Sequence, residues 1–277
     1  MKGWRLITEG KADGIYNMIA DEVLLANYSE SNLPTLRIYG WKKPFITLGC
    51  NQRFSDILSK NCGVAAVKRI SGGAALLHDE EVTYSLVCSR EDLCLPHSVK
   101  DSYRIICKFL KIFYSKLRLE PEFAFDLLNR KREDMHFKPE LRNDLCFCGC
   151  QHFDMLIEGK KIGGNAQRRK KKVIFQHGSI PQRINFEILR ESFCGRGELP
   201  RNFTDINTLL NKETDFSQLS TLLSESFQEA FNARLKKGCF SRSENFTIKE
   251  IFRHRYYDRN WCYLPRESLH EKTLLAG

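Results

Sequence analysis

Nowhere in the 277 residues is there a run of the roughly 18 apolar residues that a bilayer crossing requires. No membrane span and no membrane partner is expected. The opening MKGWRLITEG lacks the apolar core of a secretory signal, which points to a cytoplasmic protein. Proline and glycine are few, 8 and 17, and form no biased tract, so disorder and fibrous repeats are excluded as the main state. No internal repeat and no clear linker interrupts the chain. The 11 cysteines are an odd number, which argues against a complete disulfide framework, and without a signal they read as reduced thiols. Cys146, Cys148 and Cys150 alternate along the chain instead of showing the two-residue gap of a zinc knuckle, and no second Cys/His cluster follows. No metal is expected.

Positive charge, in contrast, is abundant. Lys and Arg number 44 against 34 Asp and Glu, a formal net charge of +10. Such a surface favours acidic partners, and charge alone does not choose between nucleic acid and an acidic protein.

Asp13 is placed to cap a helix that runs to about Ala26. Thr35 to Tyr39, Phe45 to Leu48, Val64 to Val67 and Val82 to Cys88 read as strands. Ser98 with Asp101 opens a helix whose stripe is Tyr103, Ile106, Leu110, Phe113 and Leu117. Residues 121 to 145 read as a long loop. Phe153 to Ile157 and Lys161-Ile162 flank a hairpin turn, and Val173 to Gln176 is a further strand. A last helix spans Phe216 to Leu235. The expected fold is α+β, a mixed β-sheet with packed helices. Residues 1–240 are expected to form the catalytic domain and 241–277 a C-terminal extension; the first 180 residues mix strands and helices, and the tail beyond them is expected to be mostly helical.

Two segments have the composition of a reaction site. In Lys68-Arg69-Ile70-Ser71-Gly72-Gly73-Ala74-Ala75-Leu76-Leu77-His78-Asp79 a basic pair enters a Ser-Gly-Gly turn. Gly72 and Gly73 let backbone amides approach a ligand, and Arg69 can grip a carboxylate or phosphate with two parallel hydrogen bonds. The same residues also suit a plain tight turn. In Glu158-Gly159-Lys160-Lys161-Ile162-Gly163-Gly164-Asn165-Ala166-Gln167, small residues leave space beside Lys161, a hairpin lysine with no obvious structural duty. The five-residue basic run from Arg168 to Lys172 is either a solvated turn or a contact for an acidic partner.

Taken in order, these segments resemble the superfamily of lipoate-protein ligase A, octanoyltransferases and biotin-protein ligases. Its pattern is Arg-Arg-x-Ser/Thr-Gly-Gly-x-Ala-x-x-His-Asp, then Lys-x-x-Gly-x-Ala-Gln, then His-Gly-Ser/Thr, which is matched here at 68–79, 161–167 and 177–179. Asn17 to Glu22 and Thr47 to Gln52 also look like this family. Thr83-Tyr84-Ser85, and Cys146-Phe147 followed by Phe153-Asp154, resemble the cysteine-dependent octanoyltransferases and lipoyl amidotransferases.

The resemblance implies a biotin/lipoate-ligase-like fold. It implies Cys146 as nucleophile and Lys161 as the charge that polarises the acyl carbonyl. It implies that Arg69, Ser71, Gly72, Gly73, His78, Tyr84, Gly164, Ala166, His177 and Gly178 line the substrate site. The expected reaction moves an octanoyl group from acyl carrier protein to a lysine of a lipoyl domain or glycine-cleavage H protein. Arg168, Arg169 and Lys170 would dock the acceptor. No cofactor is needed; ATP and Mg enter only if the chain is an ATP-dependent lipoate-protein ligase, the alternative along with a lipoyl amidotransferase. Biotin-ligase-type repressors bind nucleic acid, but no helix-turn-helix segment precedes residue 13, so nucleic acid is set aside as a partner.

Overall fold

A computed structural model describes residues 3–31, 34–127, 154–194, 202–255 and 258–265. Cys146, Cys148 and Cys150 lie outside the described residues, as does the expected loop beyond Leu127. The first half of the chain runs β1 (Gly3–Ala12), α1 (Gly14–Ser31), β2 (Thr35–Trp41), β3 (Phe45–Leu48), α2 (Phe54–Ile57), β4 (Ala66–Lys68), β5 (Leu76–His78) and β6 (Glu81–Ser89). Next come α3 (Val99–Ile106), α4 (Lys108–Lys116), β7 (Glu122–Phe123), β8 (Met155–Ile157), β9 (Lys160–Lys161), β10 (Gly164–Lys170) and β11 (Val173–Pro181). The remainder is α5 (Phe186–Ser192), α6 (Ile206–Leu210), α7 (Phe216–Phe231), β12 (Arg234–Lys237), α8 (Arg242–Arg255) and β13 (Cys262–Tyr263).

A six-stranded mixed sheet has the order β10-β11-β6-β2-β1-β12, and a second sheet the order β13-β4-β3-β5. Helix α1 is capped by Asp13, whose Oδ1 accepts from the Ile15 amide at 2.9 Å. Ile15, Met18, Ile19, Ala20, Val23 and Leu24 are all buried, so α1 is apolar almost all round. That pattern belongs to a helix with packing on several sides. One side meets Ile7, Tyr39, Val87 and Phe175 of the large sheet, another Val67 and Phe45 of the small one. The opposite face of the large sheet is covered by α3, α4 and α7, through Phe109, Phe113, Leu223 and Phe227 against Leu36, Ile38, Tyr84 and Leu86. Strand β2 is buried along its whole length because both faces are covered.

Several expectations are corrected. The Ser98 helix is capped as read, with the Asp101 amide donating to Ser98 Oγ at 3.2 Å, but it breaks at Cys107 into α3 and α4. The last amphipathic helix ends at Phe231, not Leu235, because Asn232 takes a left-handed conformation and stops it. Residues 234–237 then form an edge strand parallel to β1. The tail is mostly helical, as read, with two short strands added: β13 pairs with β4, while α8 contributes Ile248 to the core around α1, and Arg255 pairs with Glu22. Glu122 and Phe123, expected in a loop, pair with β8. Such short strands depend on the open edge of a distant partner, which no local window contains.

Candidate active site

The three motifs meet because three strands bring them into register. β10 lies beside β11, with Gly164 opposite Ser179, Asn165 opposite Gly178 and Ala166 opposite His177. β11 lies beside β6, with His177 opposite Ser85 and Gly178 opposite Tyr84. β6 lies beside β2, with Ser85 opposite Arg37. Residues in one row project to one side of the sheet. The row Arg37, Ser85, His177 faces α1, where Asp21 awaits it.

Asp21 Oδ1 accepts from Arg37 at 2.9 Å and from Ser85 Oγ at 2.7 Å, and its Oδ2 accepts from the Tyr39 hydroxyl at 2.9 Å. His177 Nδ1 lies 3.7 Å from that Oδ2. Nε2 of the same ring is 2.7 Å from Ser71 Oγ. Burial pushes the His177 imidazole below its ordinary value, outweighing the pull of Asp21, and the positive charge of Arg69 adds to the effect. Burial would raise the Asp21 carboxyl, yet its bond to His177 and the charge of Arg37 hold it below the usual carboxylate range. His177 is thus neutral at neutral pH, and with Nδ1 turned to Asp21 its Nε2 accepts a hydrogen bond from the Ser71 hydroxyl.

A second chain of the same kind runs alongside. Thr47 Oγ1 is 2.8 Å from His78 Nε2, and His78 Nδ1 is 2.8 Å from Glu81 Oε1. Trp41 stacks on His78 with ring centroids 3.9 Å apart and fixes the plane of the imidazole.

Arg69 joins the two chains. Its Nε donates to Ser71 Oγ at 3.1 Å, and one terminal nitrogen donates to Thr47 O and Oγ1 at 3.1 and 3.3 Å. The other donates to the carbonyls of Gly72 and Ala74 at 2.8 and 2.9 Å. These five contacts commit the guanidinium to its own loop and to Thr47 of β3. Arg69 shapes the Ser-Gly-Gly loop from beneath, whereas the sequence pointed to a grip on a substrate anion. Gly73 has φ +94°, and a Cβ on Gly49 would sit 2.0 Å from the Gly73 carbonyl oxygen, so the two glycines permit a close backbone crossing.

Lys161 departs from its expected setting. It is 4% exposed, and its Nζ lies 2.6 Å from Asp154 Oδ2. A buried ion pair holds it, at the end of the β8–β9 hairpin whose turn residues Glu158 and Gly159 both have positive φ. Tyr103 on α3 feels the charges of both Asp154 and Arg69, so the ion pair and the loop share one neighbourhood.

On the other face of the large sheet, Tyr84 donates to Asn165 Oδ1 at 2.6 Å and accepts from Gln176 Nε2 at 2.9 Å. Gly178 lies beneath them; a Cβ there would be 2.1 Å from Asn165 Oδ1 and 2.5 Å from the Tyr84 ring. Cys107 shares the Gln176 amide, and burial pushes its thiol up to about 12. It is a packed thiol, not a nucleophile.

The basic run is only partly free. Arg168 donates to the Ile70 carbonyl at 2.5 Å, and Arg169 to the His97 and Ser98 carbonyls at 2.7 and 3.2 Å. Lys170, Lys171 and Lys172 are exposed. Asp21, Arg37, Thr47, Glu81, Asp154, Asn165 and Gln176 had no assigned role in the sequence. The signal for two of them is a charge inside an apolar pattern: Asp21 in α1 and Arg37 in β2. Among the described residues, no three His, Cys, Asp or Glu side chains gather as metal ligands, and no helix is long and apolar enough to cross a membrane.

The chain matches the model of the lipoyl protein ligase A/B catalytic domain over residues 13–228. It is 31% identical to Octanoyltransferase LipM of Halalkalibacterium halodurans, covering 95% of this chain and 99% of that protein. It is 34% identical to Octanoyltransferase LipM of Kyrpidia tusciae, again over 95% and 99%. Among solved structures, lipoate-protein ligase A bound with ATP superposes with a TM-score of 0.74 at 17% identity, over 94% of this chain and 98% of that one. A bi-partite lipoate protein ligase from Thermoplasma acidophilum, solved with its E2 lipoyl domain, gives 0.71 at 15%, over 94% and 96%. Both structures share the fold.

Proposed function

Since the chain belongs to the lipoyl protein ligase A/B catalytic-domain family, we propose that it is a protein octanoyltransferase working through a cysteine thioester. The observation that carries this reading is its likeness to octanoyltransferases over almost the whole chain, at 31 and 34% identity. Octanoyl acyl carrier protein is the donor. The Cys146 thiolate attacks the thioester carbonyl, the carrier thiol leaves, and an octanoyl-Cys146 thioester remains. A deprotonated lysine of a lipoyl domain or glycine-cleavage H protein attacks that thioester. Cys146 leaves as thiolate, and the product is an amide.

Negative charge grows on the carbonyl oxygen in both steps. The geometry supports two sources of stabilisation. Lys161 supplies a buried ammonium, held in place by Asp154. The Gly72 carbonyl is bound by Arg69, and in a planar trans peptide the Gly73 N–H then points to the side away from Arg69. The exposed lysines of the 168–172 run, with Arg168 and Arg169, present a basic face to an acidic acceptor. A thiolate nucleophile needs a reducing compartment, so the enzyme works in the cytoplasm.

The test is the mass of the protein after mixing with octanoyl carrier protein in the absence of ATP. One octanoyl group on the peptide containing Cys146, lost in Cys146→Ser and kept in Cys148→Ser and Cys150→Ser, is the expected result. Activity that survives in all three variants and requires ATP and free lipoate would instead make the chain a ligase.

A further inference from the structure

Glu81 is a buried carboxylate that takes no part in the steps above. It stands at the first position of β6, is 3% exposed, and has both oxygens bonded to side chains of the protein. Its Oε1 accepts from His78 Nδ1 at 2.8 Å, from Trp41 Nε1 at 3.0 Å and from the Thr83 hydroxyl, while its Oε2 accepts from Ser179 Oγ at 2.5 Å. A carboxylate is expensive to bury, and so many donors aimed at one group mark a site built to hold it.

The bonds continue outward from Glu81. His78 carries the chain to Thr47 Oγ1 at 2.8 Å. Thr47 receives one terminal nitrogen of Arg69 on both its hydroxyl and its carbonyl. The other terminal nitrogen of Arg69 holds the Gly72 and Ala74 carbonyls. Ser71, backed by His177 and Asp21, holds the guanidinium from the third side through Nε. The plane of Arg69 is therefore set by two hydroxyls, each locked by an imidazole on a carboxylate. Rotating that plane would release the two loop carbonyls and turn the Gly73 amide. Gly73 sits at φ +94°, and such a backbone persists only where its surroundings over-determine it.

We propose that Glu81 is a positioning residue for acyl transfer: through His78, Thr47 and Arg69 it holds the Gly72–Gly73 loop so that the Gly73 amide meets the thioester oxygen. This role rests on the octanoyl-transfer reading. Thr47 and His78 are the links through which it acts, and Arg69 is the part that touches the loop.

The experiment compares Thr47→Val, Thr47→Ser and Glu81→Gln with the wild-type enzyme in a single turnover with an octanoyl thioester. Three quantities are read: the rate of Cys146 acylation, the fraction of molecules acylated at the end point, and the rate of Cys146 alkylation by iodoacetamide. Alkylation makes no oxyanion and ignores the loop. Thr47→Val, nearly isosteric but without the hydroxyl, slows acylation about ten- to a hundredfold, with end point and alkylation unchanged. Thr47→Ser, which keeps the hydroxyl, restores most of the rate. Glu81→Gln, which keeps the shape of the side chain, also slows acylation more than alkylation. Acylation at the wild-type rate in Thr47→Val or in Glu81→Gln overturns the proposal. So does a parallel fall of acylation and alkylation, which would mean a damaged thiol rather than a turned amide. No adduct on the wild-type enzyme overturns the octanoyl-transfer reading itself, and this role with it.

Discussion

Ser71 Oγ lies 2.7 Å from His177 Nε2, although 106 residues separate them in the chain. The bond ties the serine of the Arg69-x-Ser-Gly-Gly turn to strand β11, and through His177 to Asp21 on α1. It works in this direction only while the imidazole is neutral, because a protonated ring would donate from both nitrogens. Burial keeps it neutral by holding its pKa below the ordinary 6.5.

The sign of the pH dependence follows. Below about 6.5 the unfolded chain binds a proton at His177 that the folded protein resists. The contribution of His177 to stability is therefore complete above that pH and is lost as pH falls through the lower folded value. Asp21 is shifted below 3.8, so its own contribution is lost only in a more acidic range. The midpoint of thermal unfolding should fall as pH drops below about 6.5, and His177→Gln should flatten that part of the curve. A profile identical to wild type in His177→Gln would refute the assignment.

Lys161 and Asp154 form a buried pair 2.6 Å apart, which gives the lysine a structural duty beside the catalytic one proposed for it. Lys161→Met strands the carboxylate and should cost about 3–5 kcal/mol of stability. Octanoyl transfer should fall by about a hundred- to a thousandfold. Asp154→Leu added to Lys161→Met should recover much of the stability and none of the activity. Chemical denaturation and single-turnover transfer on both variants separate the two effects.

Gly178 is the floor on which Tyr84 and Asn165 meet. In Gly178→Ala the new methyl would fall 2.1 Å from Asn165 Oδ1 and 2.5 Å from the Tyr84 ring, so one side chain must leave its place. A loss of about 1–3 kcal/mol is expected, read by denaturant midpoint at constant m value. Asn165→Ala in the same chain should relieve part of it, since the ring of Tyr84 still crowds the site. An unchanged midpoint in the single variant would show that the strands part more easily than their register implies.

The basic run divides into two kinds of residue. Lys170, Lys171 and Lys172 are exposed, and their replacement by Ala should raise the KM for the acceptor domain and weaken its salt dependence, leaving kcat nearly unchanged. Arg168 also holds the Ile70 carbonyl at 2.5 Å, one residue from Ser71. Arg168→Ala should therefore lower kcat as well. Steady-state kinetics at two salt concentrations decide; equal kcat effects in the lysine and arginine variants would contradict the division.

What local chemistry dictates was legible in the sequence alone. Asp13 and Ser98 cap helices because their side chains reach amides two or three residues ahead. The runs around Leu36, Ile46 and Val82 become strands through their β-branched and aromatic content. The three motifs, which the fold brings together, were readable in order. Their inner logic was not. Lys161 showed no structural duty in the sequence because Asp154, seven residues back across the turn, becomes its partner only when β8 and β9 close. Arg69 looked like a hand for a substrate anion because nothing near it in sequence shows that Thr47 and two loop carbonyls will fill its donors. Glu81 and Asp21 looked incidental. Only the tertiary structure sets Asp21 of α1 beside His177 of β11 and turns His78 of β5 onto Glu81 of β6, since burial forces every charge to find a partner and the packing decides which one is within reach.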